Sequence, residues 1–228
     1  MTPPQASWCV LALLVLASPG GSFAASKPHT IALGAVRREP YSSEGDPAGA
    51  GKNETVLPVR PLVVDGKVKE WTTGDAHDIT ERSFAVRRAM RVNDALPSEH
   101  ASRWAWQRGP WLLVDRSSGK VTALHLADFD PVVSEAVWFR DYAAYCGIST
   151  SGKQLLAVVA QVQARRPLLA RKLIAWDPAD HPTPTCAPAI WQREPLKVSF
   201  QPTGGTQVSF DLVGASAVLV EEDDDGDP

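Results

Sequence analysis

SFAVRRAMRVN, residues Ser83 to Asn93, decides between helix and sheet for this chain. Read with a period of two, Phe84, Val86, Met90 and Val92 fall on one side, and Arg87 and Arg91 on the other. Arg88 lands on the apolar side, where it must reach a carboxylate or the rim. Read with a helical period, Phe84, Arg87, Arg88 and Arg91 would share one face, a poor face for a core. The segment is expected to be a strand. Arg82, Arg87, Arg88 and Arg91 are then expected to form a solvated strand face.

The same texture extends both ways. Upstream, Leu62 to Val64 and Lys67 to Trp71 flank Asp65-Gly66, a two-residue hairpin turn whose central positions both need positive φ. Downstream, Trp111 to Asp115 and Lys120 to Leu126 are joined by Arg116-Ser117-Ser118-Gly119, with glycine closing the turn. Ser134 to Phe139, Tyr142 to Ile148, Leu155 to Val162 and Leu168 to Trp176 follow, punctuated by turns such as Ser151-Gly152-Lys153. A proline-rich stretch, Asp177 to Pro188, interrupts the series as a loop. Leu196 to Gln201 and Thr206 to Leu212 then alternate around Pro202-Thr203-Gly204-Gly205. Short strands at this spacing predict an all-β, mainly antiparallel fold. The expected form is a β-meander, arranged as a partial propeller-like array or a β-sandwich.

The termini differ from this domain. Trp8 to Ala17 is an uncharged run of ten apolar residues, too short to span a bilayer that needs about 20. Small residues follow, Ser22 and Ala24 among them, as in a secretory signal peptide, although no Lys or Arg precedes the run. The expected division is a signal peptide at 1–24, a flexible linker at 25–54, a β-rich domain at 55–220 and an acidic disordered tail at 221–228. Gly, Pro, Ser and charge dominate residues 38–54, which include the formal glycosylation sequon at Asn53. No later segment is long and apolar enough to cross a membrane. The expected location is therefore periplasmic or extracellular.

Export changes the cysteine arithmetic. Cys9 belongs to the signal, which leaves Cys146 and Cys186 to pair in an oxidising compartment. Such a disulfide would pin the proline-rich loop to the sheet. Neither cysteine has a zinc-ligand neighbour, so no metal or cofactor is expected.

Charge and motif content narrow the function. The chain has 23 Lys+Arg against 26 Asp+Glu, a net charge of −3, which argues against a nucleic-acid partner. The tail EEDDDGDP supplies six of those carboxylates. Gly147-Ile148-Ser149-Thr150-Ser151 is the nearest approach to a nucleophile elbow, but it lacks the closing glycine and precedes a strand. Asp75-Ala76-His77-Asp78 and the run His125 to Asp130 each offer one His among carboxylates, without metal-ligand spacing.

Aromatic residues carry more information. Trp104 and Trp106 share a face if Arg103 to Gln107 is extended, with Arg103 and Arg108 beside them. Exposed tryptophan next to polar groups suits sugar rings or partner peptides. The leading expectation is an exported, non-catalytic binding or structural protein whose partner is a protein or glycan at the cell envelope. One alternative is a carbohydrate-binding module using Trp104, Trp106 and Trp71, with Arg103 and Arg108. The other is a hydrolase assembled from His77, His125, Asp128 and Asp130.

WLLVDRSSGKVTAL (Trp111 to Leu124) and AVWFRDYAAYCGISTSGKQLLAVVAQ (Ala136 to Gln161) resemble the blade pattern of TolB-like β-propellers. Such blades alternate a strand–Asp–xx–Gly–Lys–strand hairpin with a Ser–Pro–Asp–Gly–Lys turn. This chain has Ser149-Thr150-Ser151-Gly152-Lys153 there, without the Pro and Asp. At about 40–45 residues per blade, the resemblance implies at most about four blades. VDGKVKEW (Val64 to Trp71) is similar to the opening of some secreted carbohydrate-binding β-sandwich modules. Asp65 to Gln161 also resembles uncharacterised exported bacterial proteins, which implies no activity.

Overall fold

The computed structural model describes residues 28–42, 55–131, 133–175, 185–214 and 216–220. The expected signal peptide, Asn53 and the acidic tail lie outside the described residues. Fifteen strands and no helix occur within them: β1 (Ile31–Leu33), β2 (Arg37–Pro40), β3 (Val56–Val64), β4 (Lys67–Thr80), β5 (Ser83–Asn93), β6 (Trp104–Asp115), β7 (Val121–Ala123), β8 (Val137–Phe139), β9 (Tyr142–Ile148), β10 (Gln154–Gln161), β11 (Leu169–Ala175), β12 (Cys186–Gln192), β13 (Lys197–Pro202), β14 (Val208–Val213) and β15 (Ser216–Val220). Among the described residues no helix is long and apolar enough to cross a membrane.

The strands form three antiparallel sheets. The first has seven strands in the order β1-β3-β4-β5-β6-β7, with β2 also on β3; the others run β11-β10-β9-β8 and β12-β13-β14-β15. Turn chemistry sets the meander. Asp65 and Gly66 have φ of 51° and 75°, the doubly positive hairpin expected between β3 and β4. After β6, the Asp115 carboxylate accepts from the Ser117 hydroxyl at 2.6 Å and from the Ser117 and Ser118 backbone N–H groups at 2.7 and 3.0 Å. Those bonds, the Ser117 hydroxyl foremost, hold its pKa down to about 2 from an ordinary 3.8.

The β8–β11 sheet is the middle layer, which explains its sequence. Strands β9 and β10 read YAAYCGI and QLLAVVAQ because both of their faces are covered. Ala144, Cys146, Leu155, Ala157 and Val159 pack against Val198, Phe200, Phe210 and Leu212 of the β12–β15 sheet. Ala143, Tyr145, Val158 and Ala160 face Ala85 and Trp111 of the seven-stranded sheet, together with Leu124, Leu126 and Ala136. Gly147 lies where the chain before β8 comes closest: a Cβ there would stand 2.6 Å from the Asp128 carbonyl oxygen.

Four expectations are corrected. The linker expected from residue 25 is partly strand: Ile31 to Leu33 pair with Val64 to Leu62, and Arg37 to Pro40 pair with Val59 to Val56. Ile31 and Leu33 supply the apolar contacts there, packing on a cluster that includes Leu62, Phe84 and Val86.

Cys186 is not in a loop but opens β12, so its bond to Cys146 joins two sheets, with the Cα atoms 6.2 Å apart. Pro188 is accommodated because β12 is an edge strand with a register irregularity between Ala187 and Ile190. The disulfide is compatible with an oxidising location.

The expected solvated face of β5 is partly buried. Arg87 is 3% exposed. Its Nη1 donates to Glu135 at 2.8 Å, its Nε to the Gly109 carbonyl at 3.1 Å and its Nη2 to the Pro131 carbonyl at 3.2 Å. Arg88 does reach a carboxylate, with Nε 3.0 Å from Glu70 Oε2. The strand expected over Lys67 to Trp71 runs on through His77 and Asp78 to Thr80.

Candidate binding cleft

The first sheet curls without closing a barrel. Strand β2 leaves β3 on one side, and its continuation meets β6 again through an isolated bridge between Tyr41 and Trp106. The Ser42 N–H donates to the Trp106 carbonyl at 3.0 Å, which holds the two elements together. Under this junction Leu57, Val59 and Ala89 are buried, with Tyr41, Trp71 and Trp106 packed on them.

The curl leaves a cleft of about 900 Å³ between β2, β4, β5 and β6. Trp71, Trp104 and Trp106 line it together with Arg37, Glu39, Glu70, Arg88 and Arg91. Register explains the convergence. Arg91 pairs with Trp106 and Asn93 with Trp104, so Arg91 and both tryptophans share one face of the β5–β6 ladder. One extra residue in β6, at Gly109-Pro110 opposite Arg88, shifts the register between Arg87 and Ala89.

The three indoles do different things. Trp71 and Trp106 meet edge to face, with centroids 5.5 Å apart and planes at 62°, and both are half-buried. They form the structural side of the cleft. Trp104 is 50% exposed. The Arg91 guanidinium carbon stands 5.0 Å from the Trp104 ring centroid, and that of Arg37 stands 5.7 Å from Trp71. Among the described residues each arginine is thereby met by an aromatic ring and by no carboxylate.

Of the residues expected from sequence, Trp71, Trp104 and Trp106 come together, whereas Arg103 and Arg108 do not line the cleft. Arg103 Nη2 donates to the Asp94 carbonyl at 2.7 Å and lies 3.4 Å from the Asp94 carboxylate. Arg108 Nη1 donates to the Tyr41 hydroxyl at 2.6 Å. Their places are taken by Arg37, Arg88 and Arg91, and by Glu39 and Glu70. The signal that could have found two of them is the alternation Arg37, Glu39, Tyr41, which is strand-like within a stretch otherwise dominated by charge.

The residues of the hydrolase alternative divide. His125, Asp128 and Asp130 line a second cleft of about 500 Å³ with Ser149. Among the described residues His125 makes no hydrogen bond there, and Ser149 Oγ pairs with Ser151 Oγ at 3.1 Å, so no described base meets a nucleophile. His77 lies elsewhere, stacked on Trp138, with Nε2 2.7 Å from the Arg140 carbonyl. Tyr145, beneath this second cleft, donates its hydroxyl to the Ala127 carbonyl; burial, with Asp128 nearby, pushes its pKa up. Among the described residues no group of three or more His, Cys, Asp or Glu is placed to hold a metal ion.

Comparison with protein-family models, with curated proteins and with solved structures finds no match for this chain. The cleft is therefore interpreted from its own residues.

Proposed function

We propose that this is an exported, non-catalytic binding protein, periplasmic or extracellular, that holds a saccharide chain in the Trp71–Trp104–Trp106 cleft. The observation that carries the reading is the half-exposed indole of Trp104 on the wall of a cleft that also presents arginine and glutamate. A sugar ring offers an apolar C–H face to an indole and hydroxyls to charged groups around it, and this lining has both kinds of partner. The disulfide between Cys146 and Cys186 supports export. Two consecutive four-stranded meanders, β8–β11 and β12–β15, support a blade-like origin for the layers that carry the cleft sheet.

Trp104→Ala tests the reading. Its indole is exposed, so the melting temperature should stay within about 2 °C of the wild type. Affinity for any bound oligosaccharide should fall about tenfold, measured by titration calorimetry. Unchanged affinity, or hydrolysis of the bound sugar, would overturn the proposal.

A further inference from the structure

We propose that the saccharide held in the cleft is acidic, and that Arg91 and Arg37 recognise its anionic groups. This rests on the cleft being a sugar site. The cleft contains three arginines and two glutamates, and among the described residues one such pair is closed, Arg88 to Glu70 at 3.0 Å. Among the described residues Arg91 and Arg37 make no side-chain hydrogen bond and no ion pair; each has a ring contact there, over Trp104 and Trp71 respectively. Their donors are thus uncommitted, although Glu39 lines the same cleft.

A guanidinium suits an oxyanion that presents two oxygens side by side, because its planar fork can donate two parallel hydrogen bonds to a carboxylate or a sulfate. Holding that fork over an indole reduces the side-chain freedom lost on binding. Trp104, the aromatic partner of Arg91, is also the exposed sugar platform. An anionic substituent on a ring stacked at Trp104 would therefore come within reach of Arg91. Glu39 opposes a uniformly charged polyanion but can accept from hydroxyls, so sugars with both acid and hydroxyl groups fit best. A neutral glycan would leave two guanidinium groups unanswered.

The experiment uses the mature chain and an array of matched oligosaccharides: uronic acid oligomers with their methyl esters, and sulfated oligomers with their desulfated forms. The expected result is binding of an acidic member about tenfold tighter than its neutral partner. Arg91→Gln should erase that preference, so that the acidic member binds the variant no tighter than its neutral partner does; Arg37→Gln should reduce it. The carboxylate and sulfate arms show which anion is read. Equal binding of acidic and neutral partners, still weakened by Trp104→Ala, would overturn the acidic preference and leave the sugar site standing. Binding of no member of the array would overturn both.

Discussion

Arg87 sits in strand β5 with 3% of its surface exposed, held by one carboxylate and two carbonyls from the two chain segments that flank it. Methionine would fill much of the same space and remove every donor. Glu135, whose side chain is 38% exposed, could turn partly to water, but the carbonyls of Gly109 and Pro131 would lose their partner. Loss of a buried, charge-assisted network of this kind costs about 3 kcal/mol. Arg87→Met is therefore expected to lower the urea midpoint by that equivalent, while Arg87→Lys, which keeps charge but not the fork, recovers less than half. A loss below about 0.5 kcal/mol would mean that the network is not stabilising. This burial could not be read in the sequence. Alternation places Arg87 opposite Phe84 and Val86, but its partner Glu135 lies far along the chain, and no local pattern announces a face covered by a distant segment.

At the level of the elements, the Cys146–Cys186 bond joins a central strand, β9, to an edge strand, β12. Both sulfurs belong to the cluster between the two four-stranded sheets, beside Leu155, Val198 and Phe200. Trp191 adds a second tie between the layers, its Nε1 donating to the Val137 carbonyl at 3.0 Å. The sequence separation of 40 gives a closed loop whose constraint on the unfolded chain stabilises by about 4 kcal/mol in the chain-entropy model. Replacing both cysteines with serine is expected to remove most of this, and the melting temperature of the wild type should fall equally on reduction. The double variant should be insensitive to reductant. A wild type whose melting is unchanged by reductant would contradict a stabilising role. The pairing was legible from residue count and compartment alone. The strand status of Cys186 was not, because Pro182, Pro184 and Pro188 around it signal a loop, and only the irregular register of an edge strand reconciles the last of them with β12.

For the whole molecule, what was legible divides along the layers. Strand-forming character, hairpin turns and the tryptophans of the cleft were visible because each depends on neighbours within a few residues. The stacking order was not, because it depends on which sheet covers which, nor was the contribution of Arg37 and Glu39, which depends on β2 pairing with β3 of the same sheet. Yet the middle sheet carries a mark of its position: β9 and β10 are apolar at nearly every residue, whereas β11, at the edge of the same sheet, reads LARKLIA and is largely exposed. Stability should follow that order. Strands β9 and β10 lie inside their sheet, paired with each other along their length, flanked by β8 over 142–144 and by β11 over 154–159, and covered by a core on each face, so their amides are expected to exchange only when the whole molecule opens. Amides of 169–175 and 216–220 lie in edge strands, and Val218 and Leu219 of the latter are more than half exposed, so local fraying suffices there. Hydrogen exchange read by mass spectrometry should therefore give β9 and β10 the highest protection, falling with urea in step with global unfolding, while β11 and β15 exchange faster and with little urea dependence. If β9 and β10 exchanged as fast as β11, the β8–β11 sheet would not be the covered middle layer, and the two apolar clusters assigned to its faces would have to be redrawn.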